Sequence, residues 1–120
     1  MAILSVEDNE INQLMLTERL KLRGYDVISV SGGQAALAVL SERNDIELML
    51  LDIGLPDIDG TEVAKRVRAT ESAQTLPIIF LSAHSTEEFK EIAQGIAGCD
   101  FIPKPVDFDL LFERIGTITG

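Results

Sequence analysis

Leu48-Met49-Leu50-Leu51-Asp52 is the stretch that decides the fold, because four consecutive bulky apolar residues end on a carboxylate. A strand that is apolar at successive positions is typical of a parallel sheet buried on both faces. Ligands bind outside the carboxyl ends of such strands, in the crevice where the winding of the sheet changes direction. An ionisable group is costly to desolvate there. Asp52 is therefore either a functional residue or a polar residue at a strand's exit, and the rest of the chain decides between the two.

Shorter apolar runs before and after this stretch alternate with segments of helical spacing. The pattern predicts strands over 2–6, 25–30, 47–52, 77–82 and 101–102. It predicts helices over about 10–23, 34–43, 61–69 and 107–115, and one more that Ser85 or Thr86 caps and that the stretch from Gly95 to Gly98 ends. Because each strand leads into a helix, the strands should pair in parallel with helices on both sheet faces, an α/β fold. The 120 residues contain no repeat or linker, so we expect one domain over residues 1–120.

The composition is that of an ordinary globular domain, with 46% hydrophobic and 25% charged residues. No apolar stretch is long enough to span a bilayer, and no basic region precedes the apolar run at the start of the sequence. The single cysteine, Cys99, cannot form an internal disulfide and is expected to be a small buried hydrophobe. We therefore expect a cytoplasmic protein.

The formal net charge of −10 limits the classes of partner. Its long-range field repels polyanions, which disfavours nucleic acid and anionic membrane surfaces. The same field favours cations. Most of the acids fit the solvent faces of helices, so only those at strand ends are candidates for a site.

Five polar side chains follow the predicted strands and should meet at one edge of the sheet. They are Glu7, Asp8, Asp52, Ser82 and Lys104. Two close carboxylates repel each other by about 4 kcal/mol at the effective dielectric of a protein surface, and a hard cation such as Mg²⁺ relieves this repulsion. Such a site suits the transfer of a phosphoryl group to a carboxylate nucleophile, with the lysine and the hydroxyl positioning the phosphoryl oxygens.

The order and spacing of these residues closely resemble the receiver domain of bacterial two-component response regulators. The matching motifs are Val6-Glu7-Asp8-Asn9, Leu51-Asp52, Leu55-Pro56 with Asp59-Gly60, Leu81-Ser82-Ala83 and Lys104-Pro105. The opening motif is most similar to receivers of hybrid sensor histidine kinases. The resemblance implies a flavodoxin-like, doubly wound sheet of five parallel strands in the order 2-1-3-4-5.

By this resemblance, Asp52 would be the phosphoacceptor, receiving phosphate from a histidine kinase or a histidine phosphotransfer domain. Glu7, Asp8 and Asp52 would hold Mg²⁺ together with the backbone carbonyl of Gly54. The domain would act as a signalling switch rather than a conventional enzyme, with at most Mg²⁺-dependent self-phosphorylation and self-dephosphorylation.

The resemblance also implies roles for residues around the acids. Ser82 would bond the phosphoryl group, Lys104 would pair with it, and Phe101 would be the switch aromatic that moves with Ser82. Gly54 and His84 stand at positions that tune the lifetime of the phosphate. Phe101 lacks a hydroxyl, so its movement would act through packing alone. If it is not a switch residue, Phe101 is simply an aromatic residue of the core. If His84 does not tune the phosphate lifetime, it is simply an exposed histidine in a loop.

The sequence also predicts two interaction surfaces and leaves three other functions open. Ile11, Met15 and Leu22 should form an exposed stripe on which the phosphate donor docks, and the face built from 86–117 is a candidate phosphorylation-dependent dimer or partner surface. A docking module that is never phosphorylated would keep the same fold. An aspartyl-phosphate phosphatase normally has a second aspartate where this chain has Gly54, and a nucleotide or flavin binder needs a hydroxyl- and glycine-rich loop where it has acids.

Overall fold

Strands and helices alternate along the chain, as the sequence predicts. The computed structural model describes residues 2–83, 87, 91–92, 95–96 and 98–119. The strands are β1 (Ala2–Val6), β2 (Asp26–Val30), β3 (Ile46–Asp52), β4 (Ile78–Ser82) and β5 (Cys99–Pro103). The helices are α1 (Glu10–Leu22), α2 (Gly33–Glu42), α3 (Gly60–Ala69) and α4 (Phe108–Thr119), with a 3₁₀ turn at Glu71–Ala73. The helix predicted to follow Ser85 or Thr86 and to end at Gly95 to Gly98 falls largely outside the described residues. Within the described part of the chain, no helix is long and apolar enough to cross a membrane.

The strands form one parallel sheet in the order β2-β1-β3-β4-β5, which confirms the predicted fold. From β1 the chain winds outward to β2 and then returns past β1 to β3. The winding direction therefore changes between β1 and β3, and the crevice for a ligand opens at the carboxyl ends of these two strands.

The central strands bury alternate side chains on opposite faces of the sheet, because successive strand residues point to opposite sides. One face packs against α1 and α4 through Ile3, Leu16, Leu20, Leu48, Leu50, Ile79, Leu81, Ile102, Leu111 and Ile115. The other packs against α2 and α3 through Leu4, Val6, Ala36, Met49, Leu51, Val63, Ala64, Val67, Ile78 and Phe80. Two hydrophobic cores thus hold the sheet rigid between two helical layers.

Helix α1 carries one buried and one exposed apolar stripe. Leu16 and Leu20 are buried against the sheet. Ile11, Met15 and Leu22 are 70%, 45% and 84% exposed. The exposed stripe is thus confirmed as a surface feature, whereas its use as a docking site stays a prediction.

Arginine–aromatic contacts join α1 to α4. The guanidinium carbon of Arg19 lies 4.9 Å from the ring centroid of Phe108, and that of Arg23 lies 4.2 Å from that of Phe112. Each such contact at an exposed site contributes roughly 0.5–1 kcal/mol. The first and last described helices are therefore tied along their length as well as through the core below them.

Candidate functional site

Three carboxylates meet where β1 and β3 end. Asp52 is the last residue of β3, and Glu7 and Asp8 directly follow β1. The Glu7 backbone N–H donates to the carbonyl of Val30 at 3.0 Å, which continues the β1–β2 pairing one residue past the strand. One carboxylate oxygen from each of Glu7, Asp8 and Asp52 lies within 4.8 Å of the other two. The parallel topology has brought together the acids that the sequence analysis selected.

The acids differ in their access to water. Glu7 is 2% exposed and Asp52 is 8% exposed, whereas Asp8 is an exposed residue. Buried carboxylates are stable only when paired or hydrogen-bonded. The cluster is thus enclosed by protein groups around Glu7 and Asp52 and is open to solvent at Asp8.

Lys104 pairs with the two buried acids. Its Nζ donates to Glu7 Oε2 at 2.5 Å and to Asp52 Oδ2 at 3.2 Å. Its backbone N–H donates to the Ser82 carbonyl at 2.8 Å, so the end of β4 fixes the lysine, and the following Lys104–Pro105 peptide bond is cis. One ammonium facing three carboxylates leaves the cluster with an excess of negative charge.

Backbone and side-chain donors orient the remaining oxygens. The Asn9 N–H donates to Glu7 Oε1 at 3.1 Å, and the Gly54 N–H donates to Asp52 Oδ1 at 3.3 Å. Gln13 Nε2 also donates to the Glu7 carbonyl at 3.2 Å. Asp8 accepts no hydrogen bond from any residue that the structure describes, so its carboxylate is free to bind a cation.

The donor set fits Mg²⁺. This ion takes hard oxygen ligands, one or two of them carboxylates, and keeps several waters. The cluster offers three carboxylates, excess negative charge and an open side on which waters can remain. Gly54 is exposed, and a Cβ placed on it would meet nothing within 4 Å, so no side chain narrows this approach. The participation of its carbonyl stays a prediction.

The other predicted site residues surround this cluster. Ser82, the last residue of β4, is fully buried beside β5 and pairs in register with Pro103. Phe101 pairs with Phe80 and is half-buried against the core on the α2–α3 face. Their switch roles stay predictions. His84 lies outside the described residues, as do positions 86, 88–90, 93, 94 and 97 of the 86–117 face.

Asp57 makes a long-range contact that the sequence analysis missed. Its Oδ1 accepts from the Gly33 N–H at 2.8 Å, and its Oδ2 accepts from the Gln34 N–H at 2.9 Å. These backbone donors at the start of α2 lower the pKa of Asp57 to about 2. A signal was available in the sequence, because a helix that begins at Gly32-Gly33 has no capping side chain of its own.

Gly60 brings α3 against the end of β3. Its N–H donates to the Ile53 carbonyl at 2.8 Å, and a Cβ there would lie 2.2 Å from the Asp52 carbonyl oxygen. Only glycine allows this approach. Asp59 caps the same helix, with its Oδ1 accepting from the Thr61 N–H at 2.8 Å. Asp59 and Gly60 therefore fix the start of α3 beside the end of β3.

Comparison with known proteins relates this arrangement to a family. The sequence profile of the response regulator receiver domain matches residues 3–116. Among characterised relatives, the polar-differentiation response regulator DivK of Brucella ovis is 32% identical over 121 aligned positions, which cover 99% of this chain and 96% of DivK.

Solved structures give the same relationship. A response regulator receiver protein of Pseudomonas putida is 31% identical, with a TM-score of 0.90 and coverage of 97% of this chain and 95% of that one. The receiver domain of the sensor histidine kinase PA1611 of Pseudomonas aeruginosa is 29% identical, with a TM-score of 0.89 and coverage of 98% and 95%. That structure has a magnesium ion coordinated in its active-site cleft.

Proposed function

Since the chain belongs to the response regulator receiver domain family of two-component signalling, we propose that it is a phosphorylation-dependent switch whose phosphoacceptor is Asp52. The observation that carries the proposal is the Asp52 carboxylate itself. It ends a buried strand, lies within 4.8 Å of two further carboxylates and receives the ammonium of Lys104. No other aspartate in the described part of the chain combines these surroundings.

The reaction is a phosphoryl transfer from a phosphohistidine. An Asp52 carboxylate oxygen attacks phosphorus, an O–P bond forms, and the P–N bond to the donor's imidazole breaks with its electron pair on that nitrogen. Lys104 Nζ, 3.2 Å from Asp52 Oδ2, is within reach of a phosphoryl group on that carboxylate. Ser82 supplies a hydroxyl donor from the end of β4, as in the family pattern.

Glu7, Asp8 and Asp52 would hold Mg²⁺, with the Gly54 carbonyl as a further ligand. Bound there, the ion supplies the positive charge that offsets repulsion between these acids and an incoming phosphoryl group. The excess negative charge of the cluster supports this assignment. So does the magnesium ion in the related PA1611 receiver domain.

We expect the donor to be a histidine kinase or a histidine phosphotransfer domain, acting on this domain in the cytoplasm. The exposed stripe of Ile11, Met15 and Leu22 lies on α1, which begins just after the acids Glu7 and Asp8. A groove of about 390 Å³ continues this surface past Met15 to Lys104 and Phe108. A donor seated on α1 would therefore have its histidine close to Asp52.

The output and lifetime of the switch are assigned to residues around the acids. Movement of Ser82 toward the phosphoryl group would repack Phe101, and the signal would be carried by packing because Phe101 has no hydroxyl. Gly54 and His84 would set how readily water removes the phosphate. The open space at Gly54 favours water access and hence a short lifetime.

Labelling with a small donor tests the proposal. Incubation with acetyl phosphate and Mg²⁺ should add one phosphoryl group, detected by intact mass, whereas Asp52→Asn should take up none. Asp45→Asn is the matched control, because Asp45 is an exposed aspartate that pairs with Arg43 away from the cluster. Undiminished labelling of Asp52→Asn would reject Asp52 as the phosphoacceptor, and an unlabelled wild type would favour the unphosphorylated docking module.

A further inference from the structure

We infer that Asp57 is a positioning residue, which fixes the loop that carries Gly54 by clamping it to the start of α2. The inference rests on the proposed function, because Gly54 matters only if its carbonyl completes a metal site. Asp57 itself lies outside the acidic cluster and touches neither the metal ligands nor Lys104 in the described contacts.

The clamp uses both oxygens of one carboxylate. The first N–H groups of any helix lack partners within the helix and need acceptors from elsewhere. In α2 the preceding Gly32 has no side chain to offer, and Asp57 accepts from Gly33 at 2.8 Å and from Gln34 at 2.9 Å. Two hydrogen bonds to one planar group fix its orientation as well as its distance.

Two glycines make room for this contact. A Cβ on Gly32 would lie 3.1 and 3.2 Å from the two Asp57 oxygens. A Cβ on Gly33 would lie 2.7 Å from Val63 Cγ2 and 3.2 Å from Ile58 Cβ. The absence of side chains at Gly32 and Gly33 thus allows the loop to pack closely against the start of α2.

Gly54 lies on a short bridge between two anchors. On one side the Asp52 carboxylate accepts its N–H, and the Leu55 N–H donates to the Ile53 carbonyl at 3.0 Å. On the other side stands the Asp57 clamp, with the exposed Pro56 between. Leu55 packs against the core, but an apolar contact does not orient a neighbouring carbonyl. The two hydrogen bonds of Asp57 are the directional restraint on this side.

Asp59 offers a matched control in the same loop. It also caps a helix through a backbone N–H at 2.8 Å, but that helix is α3, whose first residue is already hydrogen-bonded to Ile53. Loss of Asp59 therefore removes a cap and leaves the α2 clamp in place. A purely structural role for Asp57 would make the two losses equivalent.

The experiment titrates Mg²⁺ into the full chain and follows the backbone amide resonances by NMR. Asp57→Ala should raise the Mg²⁺ dissociation constant roughly tenfold, the lower end of what partners behind metal ligands contribute, while Asp59→Ala should leave it within about twofold of the wild type. Asp57→Asn retains one acceptor oxygen and should restore part of the affinity. Gly32→Ala, which presses on Asp57 from the α2 side, should also weaken Mg²⁺ binding.

The metal-free amides separate failure of this inference from failure of the proposed function. In Asp57→Ala the Gly33 and Gln34 amides should exchange faster with solvent and the Gly54 amide should shift. If the wild type binds no Mg²⁺, the proposed function fails, and a shifted Gly54 amide in Asp57→Ala but not in Asp59→Ala still supports the clamp. Wild-type Mg²⁺ affinity in Asp57→Ala with an unshifted Gly54 amide, or equal losses in both alanine variants, overturns it.

Discussion

Lys104 offsets part of the negative charge of the site. Its ammonium contacts Glu7 and Asp52, which are both buried, and leaves the exposed Asp8 without a counter-charge. A cation bound at Asp8 would share this neutralisation and leave Lys104 able to turn toward a phosphoryl group. The same side chain can therefore stabilise the metal-free protein and take part in the proposed reaction.

Single residues were predictable where topology alone determines their neighbours. Glu7, Asp8, Asp52 and Lys104 lie at one edge of the sheet because parallel strands end at the same edge, which the alternation of strands and helices already requires. Asp57 was not predictable in this way. Its partners lie 24 and 23 residues away on a different crossover, and no periodicity relates a loop carboxylate to such a helix start.

The clamp predicts a specific acid sensitivity. The folded pKa of Asp57 is about 2, against 3.8 for the ordinary group, so its carboxylate stabilises the fold fully above pH 3.8 and loses this effect as the pH falls toward 2. The unfolding free energy of the wild type relative to Asp57→Asn should therefore decrease between pH 5 and 2. Urea denaturation of both proteins across this range measures the difference, in which other carboxylates cancel. A difference that does not vary with pH would contradict the depressed pKa.

The elements were predicted well where local pattern and burial agree. β1, β3 and β4 read as apolar on both faces and are the buried central strands. β5 is longer than its predicted two residues, because pairing with β4 extends it across Asp100 and Pro103, which have low strand propensity. α4 likewise continues to Thr119 through Gly116 and β-branched residues that the pattern did not favour as helix. In β5 the pairing with β4 overrides local preference, whereas the added turn of α4 is exposed at Gly116, Thr117 and Ile118 and continues the helix beyond its packed part.

The exposed apolar stripe of α1 can be tested as a docking surface. Met15→Glu places a charge in the exposed apolar stripe, which should slow phosphoryl transfer from a phosphohistidine protein by roughly tenfold or more, as expected for a central interface residue. Acetyl phosphate needs no docking surface, so its rate of labelling should not change. Ile118→Glu introduces the same charge at an exposed apolar position of α4 and serves as the control. Equal slowing with both donors would mean that Met15 acts on the site itself.

On the scale of the whole molecule, the sequence pattern established a parallel sheet covered on both faces, and the two hydrophobic cores confirm it. The strand order does not follow from that pattern. Several orders satisfy right-handed crossovers, and only the family resemblance selected β2-β1-β3-β4-β5. The position of the crevice between β1 and β3 depended on that choice, so the local chemistry and the global topology were predicted from different kinds of information.

The acidic cluster should couple Mg²⁺ to the stability of the whole domain. An ion that binds only the folded protein raises its unfolding free energy by about 1.4 kcal/mol at ten times the dissociation constant. Asp8→Asn should be more stable than the wild type without Mg²⁺, because repulsion among the acids falls, and should lose most of the Mg²⁺-dependent increase. Chemical denaturation at constant ionic strength measures both effects.

A charge-matched variant separates the cluster from the general acidity of the chain. Asp109→Asn removes one exposed carboxylate from α4 and should retain the full response to Mg²⁺. If it loses the response as Asp8→Asn does, the ion acts by screening the net charge of −10 rather than by binding at the cluster.

The contacts of Arg19 with Phe108 and of Arg23 with Phe112 bear on how the polypeptide matures during synthesis. They join helices from opposite ends of the described chain, so α1 gains these contacts only after translation has reached α4. At roughly 5–20 residues per second, the nascent chain spends several seconds with Leu16 and Leu20 lacking Leu111 and Ile115 as packing partners. This interval gives ribosome-associated chaperones an apolar surface to shield, and translation past α4 is the event that withdraws it.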